Sequence, residues 1–228
     1  MSSLGRLADG AGFPGPLSLL VLVALLTLLP FAAVVLTSFC KVSVVLSLLR
    51  SALGTQGAPP TLVLTGLAAV LSAAIMAPTA EAMLVRGRAA LPAGAGDPSA
   101  TQLLTAARAI GAPLHAFLLR HGSAELRAEL AAELGKPGRG PAGEHPGEEA
   151  WAVVVAAFVL SELKTAFQMG FLLFLPFLVL DMVVANILLA LGMQTLSPSQ
   201  MSLPFKILLF VAVDGWSAVA RGLLASYR

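Results

Sequence analysis

The sequence is poor in charge. Asp, Glu, Lys and Arg make up 11% of its 228 residues, while 57% are hydrophobic; a soluble domain carries about 25% charged residues. A soluble fold cannot hide that much apolar surface. The chain is therefore read as an integral membrane protein or a subunit enclosed by a larger assembly. Its net charge of only +2 excludes an extended nucleic-acid-binding patch. The single cysteine, Cys40, excludes an intrachain disulfide and reads as a small packed apolar residue. Catalytic signatures are missing too. The sequence has no H-E-x-x-H, no G-x-x-x-x-G-K-[ST] and no Cys/His ligand spacing. His115, His121 and His145 are scattered through the polar middle of the chain, and no serine has a His/Asp context to activate it. No catalytic residue, metal or cofactor is expected.

Long apolar runs are what the chain does have, and they define an all-α fold. After a short tail (1–16), residues 17–36 form a 20-residue uncharged run. As a helix it is ~30 Å long, the thickness of a bilayer core. Its thin basic flank (Arg6 against Asp9) and the lack of a small-x-small site after it favour a retained helix over a cleaved signal peptide. Residues 38–53 read as a second helix closed by Gly54, "GTQGAPP" as a turn, and 61–77 as a small-residue-rich helix stopped by Pro78. Together 17–78 make an N-terminal hydrophobic unit.

Residues 79–150 are polar and of mixed charge. "SATQLL" has the spacing of a capping box starting at Ser99. "SAELRAELAAELG" reads as an amphipathic helix ending at Gly135, and 136–149 as a Gly/Pro linker. A C-terminal hydrophobic unit follows over 151–228. Its apolar stretch 151–192 would be ~63 Å as one straight helix, so Pro176 is expected to divide it into two helices or a sharply bent pair. Residues 192–204 read as a loop and 205–225 as a final helix.

The apolar segments contain Lys41, Arg50, Glu162, Lys164, Asp181, Lys206, Asp214 and Arg221. A charge at mid-bilayer costs at least ~2.5–3.5 kcal/mol on insertion scales. These groups are therefore expected to form buried pairs or intersubunit contacts, and the short side chains of Asp181 and Asp214 cannot snorkel. Lys41 and Arg50, nine residues apart, point to opposite sides of one helix, so one partner cannot serve both. Asp214 and Arg221 share a face, as do Lys164 and Gln168.

Three stretches carry a resemblance: "TSFCKVSVVLSLLRSALGTQGAPP", "SELKTAFQMGFLLFLPFLVLDMVVANILLALGM" and "LSPSQMSLPFKILLFVAVDGW". In this order they resemble the type III secretion export-apparatus R proteins and their flagellar relatives (the SctR/FliP family); "APLHAFLLRHG" is more weakly similar. The resemblance implies a non-enzymatic, pore-forming gate subunit in the inner membrane of Gram-negative bacteria. Several copies, typically a pentamer, would assemble with S and T subunits into a helical cone, with the U protein at its entrance and unfolded proteins passing through. Much of the apolar surface would then be subunit interface rather than lipid contact, and Lys41 and Arg50 would be paired by neighbouring helices of the assembly. Relatives carry methionines after Gly192 as a pore gasket. Here Met193, Gln194 and Thr195 occupy that place, so the role passes mainly to Met193. Thr61 stands where relatives commonly have Asn.

Positive charge near Lys41, Arg50 and Lys206 favours those sites on the cytoplasmic side, with 79–150 periplasmic. A proton-coupled or small-solute transporter using Asp181 or Asp214 is the alternative function, and a scaffold that lines no pore is a third.

Overall fold

The computed structural model describes residues 23, 27–28, 30–55, 57–90, 100–135, 147–193 and 195–228. Among these the regular structure is helical and no strand occurs. Seven helices follow in order: α1 (Phe39–Leu53), α2 (Thr61–Ala90), α3 (Ala100–His121), α4 (Ala124–Leu134), α5 (Trp151–Ala190), α6 (Pro198–Ala212) and α7 (Gly215–Ala225). Residues 30–35 are also helical; most of the 17–29 stretch, Ser99 and the 136–146 linker lie outside the described residues.

α1 is the centre of the core. Val42, Val45, Leu46, Leu49 and Leu53 recur at helical spacing and are buried together with Leu64 and Ala68 of α2 and Ala166 of α5. Gly54 ends the helix in the left-handed region at φ 70°, where glycine carries no Cβ penalty. α1 packs along α5, and α2 along α3. Gly170 of α5 sits so tightly on α1 that a Cβ there would lie 2.2 Å from Leu48 Cδ1. A second core joins Phe117 and Leu118 of α3 to Val154 and Phe158 of α5. α4 ends at Gly135, as its sequence indicates, and Ser123 caps its start through Leu126 N.

Three sequence expectations fail for related reasons. α2 does not stop at Pro78 but continues to Ala90. α5 is one helix of 40 residues with Pro176 inside it, not two helices. α6 begins at Pro198, within the expected 192–204 loop, and contains Pro204. Proline's ~3 kcal/mol penalty belongs to isolated helices in water; in apolar, packed helices neighbouring groups re-satisfy the freed carbonyl. Pro198 sits in the first turn of α6, where its missing N–H costs nothing. The expected single helix over 205–225 is instead broken, with α6 and α7 bent by 61°. Asp214 occupies the break in the left-handed region at φ 50°. Beside it, Gly215 lies under the Phe210 ring, where a Cβ would be 2.2 Å from Cε2.

α2 and α5 are long and apolar enough to cross a membrane, and the α6–α7 pair qualifies if taken as one broken span. The two halves of α5 differ. Val153, Val154, Ala157, Phe158 and Ala166 of the first half are buried, whereas Phe171, Leu172, Leu178, Val179, Met182 and Val183 of the second are exposed. This makes the protein a membrane protein with a large uncovered apolar face.

Candidate functional site

The charged side chains form two centres on the two halves of α5. In the first, Lys41 of α1 is 3% exposed and Glu162 of α5 2% exposed, and Lys41 Nζ donates to Glu162 Oε1 at 3.2 Å. Tyr227, two residues beyond α7, donates its hydroxyl to Glu162 Oε2. The ammonium also lies 3.6 Å from the centre of the Tyr227 ring, a cation–π contact strengthened by desolvation. One ion pair therefore ties together α1, α5 and the C-terminal tail. Burial raises the Tyr227 hydroxyl far above the usual phenol range, and the Glu162 charge adds to this, so Tyr227 remains a donor. The His121 ring meets Tyr227 edge-on at 5.1 Å. Burial, then the charges of Lys41 and Arg120, lowers its pKa.

The second centre holds the far half of α5 against α6. Lys206 Nζ donates to Asp181 Oδ2 at 2.7 Å and to the Ala52 carbonyl at 3.4 Å. Ser202, one turn before Lys206, donates to Asp181 Oδ1. The ammonium thus also takes up a carbonyl from the last turn of α1, one of the groups a helix end leaves unpaired.

Lys41 and Arg50 have separate partners, as their opposite faces require: Arg50 Nη1 donates to Thr61 Oγ1 at 2.9 Å. Both partners lie within the chain, and pairing within the chain is one of the two kinds of contact expected for these residues. Thr61 thereby joins the start of α2 to α1. Asp214 is not buried. Its side chain and that of Arg221 are 69% and 74% exposed, with Asp214 Oδ2 4.0 Å from Arg221 Nη2; the helix break brings Asp214 to the surface. Lys164 and Gln168 are exposed. Cys40 is half-buried rather than fully packed.

Past α5 the chain closes with a Schellman turn. Gly192 adopts φ 74°, Met193 N donates to Leu188 O, and Gly192 N donates to Leu189 O. Met193 emerges 48% exposed, and Thr195 is also exposed; Gln194 lies outside the described residues. Among the described residues, no group of His, Cys, Asp and Glu could hold a metal. Sequence reasoning missed Tyr227 and Ser202. The need for a second donor at a buried carboxylate was readable, but not which residue 65 positions away supplies it.

A FliP family profile matches residues 22–223. The chain is 41% identical to a hypersensitivity response secretion protein of Ralstonia nicotianae, over 92% of this chain and 97% of that one. It is 39% identical to the Yop proteins translocation protein R of Yersinia pestis, over 94% and 97%. To a flagellar biosynthetic protein of Cereibacter sphaeroides it is 43% identical, over 96% and 69%. Matched over nearly its whole length, the chain belongs to the FliP family, non-enzymatic components of bacterial secretion and flagellar export apparatuses.

Proposed function

We propose that this chain is the pore-forming gate subunit of a type III export apparatus in the bacterial inner membrane. Several copies, on the reading a pentamer, enclose a path for unfolded proteins together with S and T subunits, and the U protein sits at the entrance. Residues 79–150 are periplasmic on this reading. The observation that carries it is the half-covered α5. A 40-residue helix, about 60 Å long, is anchored in the core by its first half and, beside its contact with α6, carries an exposed apolar face on its second. It ends in a turn that presents Met193. A repeated copy of such a helix can bury the bare face and bring its terminal methionine to a common axis. An unbranched thioether can repack around chains of varied shape.

Within the single chain Asp181 is held by Lys206 and Ser202 and Asp214 is exposed; the family membership supports the export gate over a small-solute transporter.

The test places a photo-crosslinking amino acid at position 193 in cells exporting a substrate that stalls behind a folded domain. Adducts between the stalled substrate and position 193, with S and T subunits in the same purified complex, are the expected result. A complex that assembles and exports but never crosslinks at 193 would favour the scaffold reading.

A further inference from the structure

Glu162, Ala166 and Gly170 turn one side of α5 toward α1. Lys164 lies two residues from Glu162, about 200° around the helix, and so points away from α1. On that side Leu160, Lys164, Phe167 and Phe171 follow at i, i+4, i+7 and i+11 and form a single stripe. All four are exposed. Lys164 has no hydrogen-bond or ion-pair partner among the described residues. A cation in the middle of an apolar stripe is at ease in water. Once the stripe is covered it is costly, unless the covering surface brings an acid.

The gate reading, on which this inference rests, covers α5 with further copies of the chain. Rotation about a common axis keeps each residue at its own height, so the acid must stand near the height of Lys164 within one copy. α3 runs beside α5 in the same direction: His115 meets Trp151, Phe117 meets Phe158, and Ser123 N donates to Ser161 Oγ at 2.8 Å. α4 starts there and turns back along α3, where Arg127 Nη1 donates to Leu119 O. Glu125, in the first turn of α4, therefore differs from Lys164 by about 8 Å in height, within the combined reach of the two side chains. It is exposed and likewise has no partner among the described residues. Other described acids fit less well. Glu129 and Glu133 stand one and two turns farther off, and Glu149 about 22 Å from Lys164 along the chain direction. Glu81 lies between Ile75, packed at the height of Phe158, and Gly87, at that of Ile110. Asp214 lies past Phe210, whose ring meets Phe177 about 20 Å along α5 from Lys164. Glu162 and Asp181 are already paired. We propose that Lys164 of one copy pairs with Glu125 of the next, an ionic clamp from α5 to α4 that repeats around the ring. Each copy gives its lysine to one neighbour and its glutamate to the other, the head-to-tail form of contact that closes a ring.

The experiment uses the full chain produced with S and T subunits, in a Cys40→Ser background. Lys164→Cys and Glu125→Cys are combined in one chain, and the purified complex is treated with a short bismaleimide. A ladder of covalently linked copies is expected from the double variant, and single copies from either variant alone. In parallel, Lys164→Glu and Glu125→Lys are each expected to lower the yield of oligomer on a native gel about tenfold, and their combination to recover most of it. Both positions are exposed, so the dispersed variants should keep the helix content of the unmodified chain. An oligomer that forms but gives no ladder, or a ladder from one cysteine alone, overturns the proposal. So does a loss in Lys164→Glu that Glu125→Lys does not relieve, which would put the acid on another subunit. An unmodified chain that forms no oligomer at all would instead overturn the gate reading, and this contact with it.

Discussion

At the scale of single residues, the Lys41–Glu162–Tyr227 centre makes the sharpest claims. Both charges are nearly fully buried, so removing one leaves the other without compensation. Lys41→Met should cost about 3–5 kcal/mol, read as a lowered thermal midpoint in detergent. Tyr227→Phe removes one donor to a charged acceptor and should cost about 1.5–3 kcal/mol. Replacing both ions (Lys41→Met with Glu162→Leu) should recover most of the single loss; a double variant as unstable as the sum of the singles would show that the two groups are not coupled. His121 adds a pH dependence. Its folded pKa lies below the ordinary value of about 6.5, because burial and the facing Lys41 and adjacent Arg120 disfavour a further cation, with Tyr227 and Glu162 behind. Below about pH 6.5 the unfolded chain takes up a proton that the folded chain refuses, so stability falls as pH drops through that window. His121→Gln should flatten the fall between pH 7 and 5 relative to the unmodified chain; parallel curves would refute it.

At the scale of elements, α1 and α4 were legible because their signals are local. The apolar stripe Val42–Val45–Leu46–Leu49 and the terminal glycines Gly54 and Gly135 need no knowledge of neighbours. The lengths of α2 and α5 were not, because whether Pro78 or Pro176 ends a helix depends on what packs around the freed carbonyl. The α6–α7 break did leave a trace: Asp214–Gly215 is a turn dipeptide, outweighed by the apolar residues around it. Likewise, the charged residues could be recognised as needing partners, but Lys41 with Glu162 and Lys206 with Asp181 are joined only by tertiary packing. The α1–α5 contact is testable at Gly170. A methyl group there meets Cδ1, Cγ and Cβ of Leu48, so rotation of the Leu48 tip alone does not relieve it. Gly170→Ala should destabilise by about 1–3 kcal/mol, and adding Leu48→Ala should restore part of the loss. A Gly170→Ala protein with an unchanged thermal midpoint would mean that the two helices separate more easily than this packing implies.

At the scale of the whole molecule, one chain leaves much of its apolar surface uncovered. Besides the exposed apolar face on the second half of α5, an apolar groove of about 370 Å³ runs between α5 and α6, bordered by Leu180, Val184, Ile187, Met201 and Phe205. Apolar burial stabilises by roughly 25 cal/mol per Å², so on the proposed gate reading repeated copies would gain by covering such faces, and a side chain at the tip of α5 would be repeated around their common axis. Met193 is that side chain. Thr195 nearby is polar and exposed, while Leu191 and Leu196 are exposed apolar residues on either side of Met193. Met193→Ala shortens every copy at once, so a small gap per subunit multiplies into a wider opening. Because Met193 is half exposed and outside both ionic centres, the change should leave assembly and export intact while the resting channel leaks ions and small solutes. The measurement is a conductance or small-solute leak assay in cells producing the closed complex, with assembly followed by native gel. A Met193→Leu variant, apolar but stiffer, should leak less than Met193→Ala. A Met193→Ala complex that assembles and is as tight as the unmodified one would place the seal elsewhere.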